Sequence, residues 1–201
     1  MNEFYTLLID LSQSIEKIKE GIYHRTLTEI SSFLKNQNFE HKILFNLTGK
    51  ELSAFIQLFN QFAKEKKIRS AESYRLKTYN KYGILAVSFI RQKDKFLCVN
   101  FYRVTSERAV NISSFTPKNA EFNATHIGRA HRALHWLDIL EFRNSGVKYY
   151  DFCGWYSGQT DKALLNVNKF KEQFTNFKIK EYTGVVYLNP TLRFLKKMIG
   201  S

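Results

Sequence analysis

Val147-Lys148-Tyr149-Tyr150-Asp151-Phe152-Cys153-Gly154 is a short run, apolar almost throughout and interrupted by Lys148 and Asp151. A half-exposed strand would alternate, whereas the near-continuous stretch Val147 to Phe152 has the pattern of an interior strand. Ser145-Gly146 stands in front of it as a stop signal. Before that stop, Ile127 to Phe142 carries Ile127, Ala130, Leu134, Leu137 and Leu140 on one helical face. A helix feeding an interior strand reads as the crossover of a parallel pair, because parallel strands need a long connection.

Upstream, Tyr82 to Ile90, Lys95 to Val104 and Arg108 to Phe115 read as three strands. The polar turn Arg91 to Asp94 separates the first two, and Pro117 closes the third. Phe4 to Leu11 reads as a strand, followed by a short helix through Glu16 to Glu20 that Ser12 or Ser14 caps. A helix over Thr26 to Lys35, an extended Phe39 to Leu47 and a helix capped by Thr48 come next. In the last of these Leu52, Phe55, Ile56, Phe59, Phe62 and Ala63 recur at helical spacing, and Lys64 to Lys67 forms its solvated end. Downstream, Lys162 to Phe174 reads as a helix, Phe177 to Leu188 as extended with a break near Gly184, and Thr191 to Met198 as a last short helix. This order implies an α/β fold, a mixed sheet covered by helices, and neither a barrel nor a bundle. The 201 residues suffice for one substantial core, and no Pro- or Gly-rich linker divides them. The expectation is a single domain over 1–201, with a helical N-terminal portion at 12–67 and the core at 80–190.

No apolar stretch approaches the roughly 18 to 20 residues that span a bilayer, and no basic prelude precedes an apolar signal core, which places the protein in the cytoplasm. Cys98 and Cys153 lack metal-ligand spacing and read as reduced thiols. The net charge of +13 favours anionic partners: nucleic acid, phosphate-rich cofactors, nucleotide-linked substrates or an acidic membrane surface.

The chemistry-bearing residues cluster between Thr125 and Thr160. Thr125-His126-Ile127-Gly128-Arg129-Ala130 opens a helix with a glycine and an arginine, the makings of a phosphate site or of an ordinary cap. His131, His135 and Asp138, at offsets of four and three, border the apolar face and could form a proton relay or a polar ligand cluster. No third ligand or H-E-x-x-H pattern accompanies them, so no metal site is expected. Strand alternation puts Tyr149, Asp151 and Cys153 on one side and Tyr150 and Phe152 on the other. A carboxylate in so apolar a strand must find a donor or face a wet cleft, which leaves Asp151 either a structural partner or a substrate or general-base group. Cys153 as nucleophile is the weakest reading. Trp155 and Tyr156 could wall an apolar or sugar site, and Ser157 to Asp161, with Gln159, lies where α/β sheets place ligands. Lys169 or Lys171 could contact phosphate or simply face solvent.

Leu134-His135-Trp136, Gly146 to Gly154 and Asn168-Lys169-Phe170-Lys171-Glu172-Gln173-Phe174 together resemble the C-terminal core of the FemAB-like branch of the GNAT acyltransferases. The resemblance implies a GNAT-type, mostly antiparallel sheet with an acyl donor, acetyl-CoA or another acyl-CoA, between splayed central strands. It also implies transfer of the acyl group to an amine. Gly128 and Ala130 match the family's acyl-CoA pattern, with Thr125 where Gln or Arg is usual, so Thr125, Gly128, Arg129, Ala130, Asn168 and Lys169 are the expected cofactor contacts. Asp151 is the first choice to position or deprotonate the amine and His126 or His131 the second. Tyr150 or Tyr156 would protonate the departing thiolate, and His135, Trp155 and Gln159 would touch the acceptor. That acceptor is read as an amino sugar, nucleotide-linked, in surface polysaccharide synthesis. FemAB enzymes carry two such domains and use aminoacyl-tRNA, while this chain has length for one. Three alternatives stay open: a tRNA-dependent aminoacyltransferase, a basic nucleic-acid-binding module and a GNAT-like subunit without chemistry. The expected partners are an anionic small-molecule donor and an amine acceptor, with a second copy of the chain as a further option.

Overall fold

A computed structural model describes residues 2–35, 38–118 and 121–184. The elements run β1 (Asn2–Asp10), α1 (Ile15–Glu20), α2 (His24–Leu34), β2 (Glu40–Phe45), α3 (Gly49–Lys66), α4 (Ser73–Lys81), β3 (Leu85–Gln92), β4 (Lys95–Val104), β5 (Arg108–Phe115), α5 (Ala124–Asn144), β6 (Tyr149–Asp151), α6 (Lys162–Glu172) and β7 (Lys178–Thr183). The strands form one sheet in the order β2-β3-β4-β5-β6-β1-β7. β5 and β6 run parallel and every other neighbouring pair is antiparallel. This is the mixed, mostly antiparallel α/β sheet read from the sequence, with α5 as the crossover.

Helices cover both faces. On one, α1, α2, α5 and Phe170 and Phe174 pack against Ala86, Tyr102, Ala109, Tyr150, Phe152 and the inward side chains of β1. On the other, Phe55, Ile56 and Phe59 of α3 and Leu76 of α4 pack against Leu85, Val87, Phe89, Val99, Phe101 and Phe115. α3 begins with a reciprocal cap: Thr48 accepts from the Glu51 amide while the Glu51 carboxylate accepts from the Thr48 amide. None of the described helices is long and apolar enough to cross a membrane.

Three expectations need correction. α4 was not legible as a helix. It runs to Lys81, so that Tyr82 is its cap, Gly83 turns the chain at φ +67°, and the strand expected from Tyr82 starts at Leu85. α5 starts at Ala124, capped by the Asn123 side chain on the His126 amide, so Ile127 lies inside its first turn. The strand read as Val147 to Phe152 pairs only over Tyr149–Asp151. It stops because Cys153 and Gly154 adopt φ of 53° and 26°, which no strand can accommodate. The expected helix at Thr191 to Met198 and the end of the expected strand at Leu188 lie outside the described residues.

Candidate active site

The parallel pair joins Arg108 to Tyr149, Ala109 to Tyr150 and Val110 to Asp151, and goes no further. Beyond that point β5 stays with β4 as far as Phe115, with Ile112 inserted as a bulge between the pairs Tyr102–Asn111 and Phe101–Ser113. The chain leaving β6 stays with β1 instead: the Phe152 amide donates to Leu7 O (3.0 Å) and the Trp155 amide to Tyr5 O (2.6 Å). The two C-terminal ends therefore part, leaving the β5 residues Asn111 to Ser114 opposite Phe152 to Gly154 without strand pairing between them. A bulge beside such a parting re-aims side chains where a ligand can enter.

Asp151 holds this parting in shape. Its carboxylate is buried, accepts from the Thr6 hydroxyl and the Cys153 amide (2.7 Å), and pairs with the Arg108 guanidinium (3.1 Å), which also binds Glu181 (2.6 Å). Lys171 reaches in from α6 and donates its ammonium to the carbonyls of Cys153 and Gly154. Burial draws the Lys171 pKa down and pushes the Cys153 thiol up, with the Asp151 charge adding to the latter. A thiol held protonated in this way is a poor nucleophile.

On the α5 side of the sheet lies a polar chain within otherwise apolar packing. Asp138, fully buried, accepts at Oδ2 from Ser88 (2.6 Å), Asn100 (3.0 Å) and Tyr102 (2.7 Å), and its Oδ1 meets His41 Nε2 at 3.0 Å. Tyr102 and Tyr150 touch hydroxyl to hydroxyl at 2.8 Å, and Tyr150 meets His135 Nδ1 at 2.5 Å. The other nitrogen of His135 faces the Ser114 hydroxyl at 3.3 Å. That hydroxyl also meets His131 Nε2 at 2.7 Å and donates to Asn100 Oδ1. Burial, reinforced by Arg132, lowers the His131 pKa from its ordinary 6.5 to about 4. Burial also takes His135 well below its ordinary value, with His131 and Lys171 adding to the shift, and lifts both tyrosines well above theirs, with the Asp138 charge adding. Both imidazoles are therefore neutral at pH 7, and the carboxylate is satisfied by four side chains from three strands, β2, β3 and β4.

The structure redistributes the expected residues. His131, His135 and Asp138 come together, joined by Tyr150. His135 and Tyr150, expected to touch acceptor and thiolate, are buried inside the chain of hydrogen bonds. His126 stands apart: it bonds Gln92 Oε1 (2.8 Å), stacks on Phe122 and packs against Phe33. Because α5 begins early, the amides of Gly128, Arg129 and Ala130 lie one turn inside the helix, where they serve its ladder, and the Ala130 side chain is fully buried. The amides left at the helix entrance are those of Ala124 and Thr125, since Asn123 takes that of His126. The Gly128 carbonyl accepts from Arg132 (3.0 Å), and Arg129 Nε is buried with no hydrogen-bond partner. Asn168, expected at the cofactor, clamps both backbone groups of Tyr156, accepting from its amide (3.0 Å) and donating to its carbonyl (2.7 Å). Trp155 is likewise committed, donating to Glu172 (2.9 Å) with the Lys178 ammonium 3.8 Å from its ring centroid. Tyr156 is half-buried, and Gln159 and Lys169 are exposed.

Ser88, Asn100, Tyr102 and Ser114 were not singled out from the sequence. The signal was present: Asn100 interrupts the apolar core of a strand, and Ser88, Asn100 and Ser114 pair across neighbouring strands in one row. Reading that row requires the register, which spacing alone does not supply.

No protein-family model and no curated protein matches the sequence. Among solved structures the chain resembles the crystal structure of FemX, with a TM-score of 0.72 at 10% identity over 98% of this chain and 64% of FemX. L-PGS from Bacillus licheniformis is similar at a TM-score of 0.56 and 10% identity, over 98% of this chain and 65% of that one. So is the C-terminal domain of an Agrobacterium fabrum protein assigned as a lysylphosphatidylglycerol synthetase, at 0.55 and 13%, over 88% of this chain and 54% of that one. The chain thus spans less than two thirds of each of these structures, and what it shares with them is the fold.

Proposed function

We propose, from the fold shared with FemX, that this chain transfers an acyl group from an activated donor to an amine. The observation that carries the reading is the parting of β5 and β6 after Val110 and Asp151. It frees backbone groups along the β5 edge at the C-terminal ends of two parallel strands, where a carbonyl can be held while it gains negative charge. An acyl-CoA is the donor we favour. Its thioester would lie along the free β5 edge, and its phosphates fit the exposed helix entrance at Ala124 and Thr125, one turn before the expected Gly128 to Ala130.

The amine attacks the carbonyl carbon as the carbon–sulfur bond breaks, with no covalent enzyme intermediate; positioning supplies much of the rate. His131, neutral and half-buried next to Ser114 on the unpaired part of β5, is the group that takes the amine's proton. Asp151 acts through position: it fixes the strand break that shapes the gap. Tyr156, just beyond the break, is the remaining hydroxyl able to return a proton to the thiolate. The exposed loop at Gln159 suits a nucleotide-linked amino sugar as acceptor.

Calorimetric titration with coenzyme A, followed by transfer assays over acyl thioesters and amino-sugar nucleotides, tests this. Heat on binding and acylated product are the expected results. Absence of both, with transfer from aminoacyl-tRNA, would move the donor to the tRNA class; absence of all transfer would end the enzymatic reading.

A further inference from the structure

Asn100, Asn111 and Asn168 are the buried asparagines among the described residues. Asn100 donates to Tyr102 and Asp138, and Asn168 donates to the Tyr156 carbonyl. The side-chain nitrogen of Asn111, in contrast, is buried with no hydrogen-bond partner. Folds leave few buried donors unpaired, because each one loses its water and gains nothing for it. This one stands on the first β5 residue beyond the last rung to β6, the pair Val110–Asp151. We propose that Asn111 is a catalytic residue whose side-chain N–H donates to the acyl carbonyl oxygen of the donor as that oxygen gains negative charge. The proposal rests on the acyltransfer reading above and adds one side chain to the backbone groups of the free β5 edge.

Strand register places the group. Asn111 lies opposite Tyr102, and Ser114 lies opposite Asn100. Side chains directly opposite on neighbouring strands share a face, and Tyr102 and Asn100 both reach Asp138 on the α5 side. Asn111 and Ser114 therefore face α5 together, while the bulged Ile112 between them packs with the α3 core on the other side. Their β4 partners are two positions apart, which sets the two side chains about 7 Å apart along the strand. His131 stands at the Ser114 end, with its Nε2 2.7 Å from Ser114 Oγ. A carbonyl oxygen near Asn111 and an attacking nitrogen near His131, each at a hydrogen-bond distance of about 3 Å, fit that interval on a single carbon. The terminal torsion of asparagine is broad, so the carboxamide can swing its nitrogen to that oxygen without giving up a bond. In the reaction the amine nitrogen bonds to the carbonyl carbon and the π pair moves to the oxygen, where the Asn111 N–H meets it. His131 takes the amine proton and passes it to solvent. The pair then returns, the carbon–sulfur bond breaks, and the thiolate leaves with a proton from Tyr156, which solvent restores. Asn111 neither gains nor loses a proton, and its bond is strongest when the charge on oxygen is greatest.

Two variants of the whole chain test the proposal, with acetyl-CoA as donor and amino-sugar nucleotides as acceptors. Asn111→Leu keeps the shape and removes the polar ends, and Asn111→Ala removes the group. Each should lower kcat about a hundredfold, the scale of losing one oxyanion donor, with a much smaller effect on KM. Asn111→Leu should melt no lower than the wild type, because an apolar group takes the place of an unpaired donor. An asparagine that served only the fold would give the opposite result. Infrared spectra of bound acetyl-CoA, isotope-labelled at the carbonyl, should place the carbonyl stretch at lower frequency in the wild type than in Asn111→Ala. A kcat within about twofold of wild type in either folded variant, a lower melting temperature for Asn111→Leu, or an unmoved carbonyl band would each overturn the role of Asn111. A wild type that neither binds acetyl-CoA nor acylates any amine would instead strike the functional reading on which that role depends.

Discussion

Asp151 was legible from the sequence as a carboxylate that an apolar strand could not leave unpartnered, and the structure supplies its partners in Thr6, Arg108 and the Cys153 amide. Those partners come from β1, from β5 and from the strand's own continuation, so no local pattern could have named them. Asp151→Asn keeps the shape but removes the charge that Arg108 faces. It should cost about 2 kcal/mol, the scale of a hydrogen bond to a charged group, read as an earlier midpoint in urea unfolding. An unchanged midpoint would show the ion pair to be immaterial to the fold. Cys153 belongs to the same scale. Its φ of 53° is a conformation that suits glycine, and the cysteine accepts it under the grip of Asp151 and Lys171.

Among the elements, those with a clean period were readable to within a residue or two. β4 and β5 match their expected limits, and α3 starts at its expected Thr48 cap. α4 escaped because its apolar signal is thin: Leu76 is its one fully buried residue, and Tyr74 lies exposed beside polar neighbours. The end of α3 offers a direct test. Lys67 caps the helix in the left-handed conformation at φ 55° and is exposed, so its side chain contributes little there. Lys67→Gly should raise stability by about 1 kcal/mol by relieving that conformation, measured by thermal or chemical melting. A loss of stability would mean that the Lys67 stem packs on α3 more than its exposure suggests.

For the molecule as a whole, buried neutral histidines impose an acid limit. The folded His131 titrates near 4 and the unfolded one near its ordinary 6.5, so as pH falls the unfolded chain binds the proton first. The stabilisation from holding His131 neutral is complete above about 6.5 and is lost as the pH drops toward 4; His135 acts with the same sign. Melting temperature should therefore fall between pH 7 and pH 5, and His131→Gln should flatten that slope. A wild-type melting temperature independent of pH over this range would contradict the burial of both rings. What the sequence by itself determined was the kind and order of the elements other than α4, the crossover of α5 into a parallel strand, and the α5 and β6 share of the polar groups, because helical and strand periods and caps are properties of neighbours along the chain. Only the tertiary structure decided that β5 and β6 part after three pairs, that Asp151 is a clamp, and that His131, Ser114, His135, Tyr150, Tyr102, Asp138 and His41 form one line. Those relations depend on register between strands far apart in the chain, and a shift of one residue would turn Ser114, Tyr150, Tyr102 and His41 away from the α5 side chains they meet.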